Sequence, residues 1–363
     1  MLAAAARVRR PMSRLVRSAT LSRYTEVARS VGLDPLRILA EVGLPKTCLD
    51  AGDNLVSASA VCRLLEKSAA ASDTEDFGLR LGEGRQLSVL GALGMAVRDS
   101  RTLRDALRAM MRYITLHSEA LLLDVEEREG ALVIRVSLMV EHSGSTRQAD
   151  EMVVVSLYRM LQELIGPGWR ARRICFSHGA PRNLASHLRV FGRSVDFGCD
   201  FNCIVSELKD MDVVPRSARP ELAQYAHAYL DSLTARASLS MTEKVRRIVL
   251  SLLSSGNCNV ERVASQLGVD RRTVHRKLLQ EGATFSSILD EVRTSLAVQY
   301  LRHSERPVSY VAVLLGFSMQ SAFSRWFRDH FGCSPSAWRS DGMRPAAPVP
   351  RQQLVAAGPE QRV

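Results

Sequence analysis

A ten-residue pattern occurs twice in the chain, 48 residues apart: VERVASQLGV at Val260–Val269 and VSYVAVLLGF at Val308–Phe317. Val260 matches Val308, Val263 matches Val311, Ala264 matches Ala312, Leu267 matches Leu315 and Gly268 matches Gly316. The apolar positions recur at helical spacing, so each copy reads as a short amphipathic helix that stops at its glycine. The alanine on the inner face leaves room for a second helix to cross closely. A polar residue able to cap, Asp270 or Ser318, follows each glycine, and a second helix is expected there. Short helix, tight glycine turn and crossing helix together make a helix-turn-helix. A plain helical bundle is the competing reading, but it does not require two such units in register.

The second helices also align, with one residue inserted in the later copy: Arg272–Leu278 against Ser321–Phe327. Val274 and Leu278, and likewise Phe323 and Phe327, are spaced i,i+4 and are expected to face inward. That leaves Arg272, His275 and Arg276 in one copy, and Ser321, Ser324 and Arg325 in the other, pointing outward. Arginine in such a position can pair bidentately with guanine O6/N7, and Ser or His can donate to bases or phosphates. Lys277 and Arg328, nearer the helix edges, fit phosphate contacts that orient without specifying sequence. Arg271 and Gln320 complete the expected DNA-contacting set. Between the copies, Phe285–Leu301 is a helical run with Ile288, Leu289, Val292, Leu296 and Tyr300 in its stripe. Such a connector can fix two recognition helices about 34 Å apart, one turn of a duplex.

Charge follows the same division. The chain of 363 residues carries +11. Residues 1–17 contribute five arginines and no acid, residues 18–240 hold 27 basic and 28 acidic side chains, and residues 241–340 hold 14 basic and 8 acidic. A near-neutral body joined to a basic module of about a hundred residues fits a sensor attached to a nucleic-acid binder, although a solvated basic surface alone would give the same count. No stretch reaches the ~18 consecutive apolar residues of a membrane span. The seven cysteines, at 48, 62, 175, 199, 203, 258 and 333, are scattered and form no CxxC pair. They read as reduced cytosolic thiols; Cys175, Cys199 and Cys203 are expected to be small buried hydrophobes rather than a redox or metal cluster.

Residues 1–19 read as a flexible basic leader. Their apolar run Leu2–Ala6 is too short for a secretory signal, and both Met1 and Met12 are possible starts. Residues 20–233 read as one α+β domain. Ser57 is expected to cap a helix carrying Val61, Leu64, Leu65 and Ser68. Thr102 is expected to cap another, with Asp105 at N3 and Leu103, Leu107, Met110 and Met111 on its inner face. The glycines of Gly78–Gly94 lack a phosphate-binding order and fit close helix packing. Leu121–Glu127 and Ala131–Val140 read as a hairpin about Arg128-Glu129-Gly130. A long helix is expected over Arg147–Leu164, and strands over Arg172–Phe176 and Val195–Val205, separated by a helix near Leu184–Val190. A helix over Pro220–Leu233 leads to a linker at 234–240. Residues 241–340 form the basic module, with helix-turn-helix units at about 260–281 and 308–331, and 341–363 read as a disordered tail.

The segment GFSMQSAFSRWFRDHFGCSPSAWR (Gly316–Arg339) closely resembles the signature of the AraC/XylS family of bacterial transcription regulators, through its Gly-Phe, Ser-x-Phe-Ser-Arg-x-Phe and Gly-x-Ser-Pro elements. The resemblance implies an all-α domain of seven helices over 241–340, with the two recognition helices named above. It departs at Met319, where the family often has an acidic residue. The stretch LGALGMAVRDSRTLRDALRAMMRYITLHSEAL (Leu90–Leu121) is similar to the effector domain of an AraC-type subgroup labelled arabinose-binding by analogy. The mainly helical first hundred residues do not suit an all-β cupin barrel, and no sugar is implied.

The expected protein is thus a cytoplasmic, nucleoid-associated regulator, an activator, reading promoter DNA under a small-molecule effector. RNA polymerase and a second copy of the chain are its expected partners, and the membrane is not. No cofactor, metal or catalytic residue is expected. The rival reading is an enzyme, or a haem or metal sensor, with an appended DNA-binding module. Its support is thin: the eight histidines form no HExxH pattern and there is no GxSxG element. His117 is expected to be a satisfied structural residue, with a pocket role as the alternative, and Glu126, Glu127 and Glu129 a solvated patch.

Overall fold

The computed structural model describes residues 14–140, 144–216, 218–236, 240–253, 258–267, 269–303 and 307–340. The tail 341–363 and the leader through residue 13 lie outside them. The chain divides into two compact units, with the boundary between Ser238 and Leu239. Among the described residues no helix is long and apolar enough to cross a membrane.

The N-terminal unit begins with β1 (Leu15–Arg17), α1 (Tyr24–Ser30), α2 (Pro35–Glu41) and β2 (Leu55–Ser57). It continues through α3 (Ala58–Ala71), α4 (Phe77–Glu83), α5 (Ala92–Arg98) and α6 (Leu103–Tyr113). The hairpin β3 (Leu121–Arg128) and β4 (Ala131–Leu138) is followed by α7 (Arg147–Ile165) and β5 (Arg173–Cys175). Then come α8 (Ala185–Phe191), β6 (Val195–Asp196), β7 (Asn202–Glu207) and α9 (Pro220–Arg236). The main sheet has the order β3-β4-β7-β5-β6, antiparallel except for the β5–β6 pair. It makes an α+β unit, as expected.

Local chemistry sets these elements. Ser57 accepts from the Ala60 N–H at the start of α3, and Thr102 accepts from the Asp105 N–H at the start of α6. Glu129 and Gly130 both have positive φ, the geometry of a two-residue hairpin turn, so Arg128 belongs to β3 rather than to the turn. Leu132, Ile134, Val136 and Leu138 alternate onto the buried face of β4. The glycines at 78 and 82 serve close packing: a Cβ on Gly78 would sit 1.9 Å from the Gln148 carbonyl oxygen, and one on Gly82 2.4 Å from that of Met152. Only side-chain-free positions let α4 lie this near α7.

Several expectations need correction. Residues 14–19 do not belong to a flexible leader, because Leu15–Arg17 pairs antiparallel with Leu55–Ser57, buries Val16 and sets Arg17 against Asp53. Met111 is 37% exposed, since it lies one residue past Met110 and about 100° round the helix. Val195–Val205 is two strands rather than one, interrupted where Gly198 at φ 68° turns the chain. The last N-terminal helix continues to Arg236, so residues 234–236 are helical rather than linker; residues 237–239 lie outside the described residues.

The C-terminal unit has seven helices among its described residues: α10 (Met241–Leu253), α11 (Val260–Gln266), α12 (Arg271–Gln280), α13 (Phe285–His303), α14 (Val308–Leu314), α15 (Gln320–Phe331) and α16 (Pro335–Ser340). α10, α11 and α12 pack together, α14, α15 and α16 pack together, and α13 touches both groups through α10, α14 and α16.

Candidate nucleic-acid interface

The two helix-turn-helix units are α11–α12 and α14–α15. In the first, Asn259 caps α11 by accepting from the Arg262 N–H, and Asp270 caps α12 by accepting from the Thr273 N–H at 2.7 Å. That N–H, together with the Thr273 hydroxyl, holds the Asp270 carboxyl below its ordinary range. Val263, Val274 and Leu278 are fully buried. This fixes the rotation of α12 and leaves Arg271, Arg272, His275, Arg276 and Lys277 exposed on its outer side. Gly268, expected to end the first helix, lies outside the described residues.

In the second unit the turn is visible. Gly316 has φ 69°, and the Phe317 N–H donates back to the Ala312 carbonyl at 2.9 Å. Only glycine adopts this left-handed backbone without strain. Ser318 is not the cap. α15 starts at Gln320 with Met319 in the capping position, and no side chain accepts its first N–H groups there. The residue inserted in this copy displaces the serine by one place. Phe323 and Phe327 are fully buried, so Gln320, Ser321, Arg325 and Arg328 are exposed and Ser324 is half-buried.

The expected residues therefore fall on the outer faces of two helices, but they are not equivalent. Arg271 is engaged within the unit: its Nη1 donates to Glu261 at 2.9 Å and its Nε reaches His275 at 3.4 Å. Among the described residues no ion pair engages Arg272, Arg276, Lys277, Arg325 or Arg328. Cations without an internal partner are the ones available to a polyanion.

Sequence reasoning missed the residues that hold the two units to their connector. Arg293 of α13 donates through Nε to the Leu315 carbonyl at 3.0 Å and through Nη2 to the Gly316 carbonyl at 3.2 Å. Its guanidinium also lies 4.1 Å from the Phe317 ring centroid. It thus satisfies the carbonyls that end α14. Asp290 accepts from the Trp326 indole N–H at 3.1 Å, joining α13 to α15. On the other side Glu291 pairs with Arg246 of α10. Glu281, just past α12, accepts from the N–H groups of Met241 and Thr242 and so caps α10. The signal for Arg293 was an arginine beside the apolar stripe of a long helix.

The cysteines of the N-terminal unit are free thiols. Cys175 and Cys203 face one another across β5 and β7, and both are buried. Among the described residues no group of three or more His, Cys, Asp and Glu is placed to hold a metal.

Comparison with known proteins matches both units. Residues 32–213 match the family described as the arabinose-binding domain of AraC transcription regulator, N-terminal, and residues 263–341 match a helix-turn-helix domain family. The HTH-type transcriptional regulator VirS of Mycobacterium tuberculosis is 33% identical over 333 residues, covering 90% of this chain and 97% of VirS. The ornithine utilization regulator of Pseudomonas aeruginosa is 26% identical over 315 residues, 86% of this chain and 91% of that protein. The HTH-type transcriptional activator RhaS of Escherichia coli is 41% identical over 78 residues, 21% of this chain and 28% of RhaS.

Proposed function

The chain belongs to the AraC family of DNA-binding transcription regulators, with an N-terminal ligand-binding domain, and from that premise we propose how it reads and answers DNA. Arg272, His275 and Arg276 of α12, and Ser321, Ser324 and Arg325 of α15, contact base edges in the major groove. Lys277 and Arg328 contact phosphates. Arg271 serves α12 chiefly by bracing it against Glu261, and Gln320 stands at the end of α15 that enters the groove. An effector bound in the N-terminal unit shifts the protein between states by binding one better than the other. The response is activation, through contact with RNA polymerase and as a homodimer; the activator RhaS, similar over the DNA-binding region, supports the first of these. The protein acts at the nucleoid in the cytoplasm. The N-terminal unit is a sensor rather than a catalyst, a reading supported by its match to a regulator's effector domain.

The observation that carries the DNA reading is the sidedness of α12 and α15. Each buries an i,i+4 apolar pair completely and exposes cations or hydroxyls on the opposite side. Arg276→Ala and Arg325→Ala are expected to weaken binding to a selected DNA site by about 1–3 kcal/mol each, with circular dichroism unchanged. Lys277→Ala and Arg328→Ala should instead weaken all sequences alike and lower the salt slope by about one. A gel-shift titration with wild-type affinity for both Arg276→Ala and Arg325→Ala would remove these helices from the interface.

A further inference from the structure

The N-terminal unit contains a cavity of about 90 Å³ where the unit's two hydrophobic clusters meet. Its walls come chiefly from α3, α6, α7 and the β3–β4 hairpin and are mainly aliphatic. Val61, Leu123, Leu138, Met110, Met152 and Met160 are representative, with Thr20, Ser118 and Ser156 as small polar groups, and among the described residues no Phe, Tyr, Trp or carboxylate lines it. Two basic side chains do, Arg85 and His117, both buried. Arg85 follows α4 and donates through Nη2 to the Thr20 carbonyl, while its Nε has no partner. Among the described residues no ion pair engages it, and burial alone pulls its guanidinium down to about 10. His117, in the turn after α6, has an unpartnered Nδ1; burial first, then the charge of Arg85, pushes its ring down to about 3, so it is neutral at any ordinary pH.

A buried guanidinium with no counter-charge is costly, and such a group persists where something else pairs with it. The wall chemistry restricts what that is. A sugar needs many donors and acceptors around its hydroxyls, and this lining is nearly all hydrocarbon. A cationic amino acid such as ornithine needs a carboxylate for its ammonium groups, and none is present. What remains is a molecule with one anionic end and an apolar body. We propose that this cavity binds an aliphatic monocarboxylic acid, its carboxylate against Arg85 and the His117 ring, its hydrocarbon chain among Val61, Leu138, Met152 and Met160. Arginine matches a carboxylate in planar, bidentate geometry, and the methionines adapt to a flexible chain. The assignment rests on reading the N-terminal unit as the effector-binding part of the regulator.

Thermal unfolding of the full chain with decanoate, decan-1-ol, methyl decanoate, L-arabinose and L-ornithine tests it. Decanoate well above its Kd is expected to raise the midpoint by about 5 °C. The alcohol and ester should do much less, the sugar and amino acid nothing, and the shift should grow from hexanoate to decanoate. Arg85→Met should erase the preference for acid over alcohol, and Val61→Trp, which fills the cavity, should erase both responses with circular dichroism retained. Equal shifts with decanoate and decanol in the unaltered protein, or no shift with any acid, overturn the proposal. Gel shifts on DNA selected from a random library are run in parallel. Retained DNA binding without a decanoate response rejects the ligand class alone, whereas absent DNA binding counts against the regulator reading itself.

Discussion

Arg85, His117, Asp150, Glu151 and His187 are all buried in the N-terminal unit, whereas among the described residues of the C-terminal unit the fully buried side chains are apolar. Both units use ionisable groups, but on opposite sides of their surfaces. The DNA-reading unit keeps most of its cations outside, where a polyanion can reach them, although Arg293 is half-buried against the end of α14. The sensing unit keeps charges inside, where burial makes its stability depend on protonation and on whatever pairs with them. Function separates the two: a duplex is met at a surface, while a small effector is enclosed.

The sharpest test of that contrast concerns the aromatic core of the second helix-turn-helix. Phe327 is fully buried, with Phe331 at 4.3 Å, Phe323 at 5.7 Å and Trp338 at 5.9 Å between ring centroids. Phe327→Ala should cost about 3–5 kcal/mol, mainly through the cavity it leaves. Hydrogen exchange of α14, α15 and α16 should accelerate equally at about pH 7 and about pH 9. A loss that depends on pH over that interval would mean that this core also holds a titrating group, and the contrast would fail.

The counterpart lies in α7. Asp150 is buried beside Thr146, Asn202, Glu66 and Glu151; burial first, then Glu66 and Glu151, raises its carboxyl to about 7, against the lowering effect of Thr146 and Asn202. Its unfolded value is near 3.8. Between these values the folded state holds a proton that the unfolded state has lost, so the contribution of this group to stability falls as pH rises from about 4 to about 7. Asp150→Asn keeps an acceptor for the Thr146 hydroxyl, which donates at 2.9 Å, and removes the charge. It should stabilise the N-terminal unit by about 4 kcal/mol at about pH 8, with the gain shrinking towards zero near pH 4. Melting curves that show the same gain at both pH values would mean that Asp150 is not the group burdening this core.

The same contrast explains what could be read in the sequence. The C-terminal unit was legible because repetition and sidedness lie along the chain: Val263 and Val311, or Val274 and Phe323, announce their burial by spacing alone. The α+β class, the hairpin and the capped helices of the N-terminal unit were legible for the same local reasons. Buried charges have no such signature. Nothing around Arg85 or His117 says that residues 32 positions apart will line one cavity, because only the tertiary packing of the unit brings them there. His117 was expected to be satisfied, yet its Nδ1 has no partner. Val16 looked like part of a leader because its strand partner lies some forty residues on, at Val56. Arg293 was passed over because its acceptors are backbone carbonyls, which carry no residue identity.

Within the C-terminal unit a smaller contrast remains, between a capped recognition helix and an uncapped one. Asp270 accepts from the Thr273 N–H at the start of α12, while Met319 offers α15 nothing in the same position. An acidic side chain there would satisfy an orphan N–H and meet the positive end of the helix. Met319→Asp should therefore stabilise α15 by about 1 kcal/mol, and Asp270→Ala should destabilise α12 by a similar amount, both read as exchange rates of the first-turn amides. The two changes should differ in their effect on DNA. Asp270→Ala loosens the helix that carries most of the exposed cations, so it should weaken binding. Met319→Asp both orders α15 and adds a negative charge that would repel a phosphate beside it, so its gain in helix order should not appear as a gain in affinity. Were Met319→Asp to leave the α15 amides unchanged, the missing cap would not be what separates the two helices, and the difference would rest on their aromatic and aliphatic cores alone.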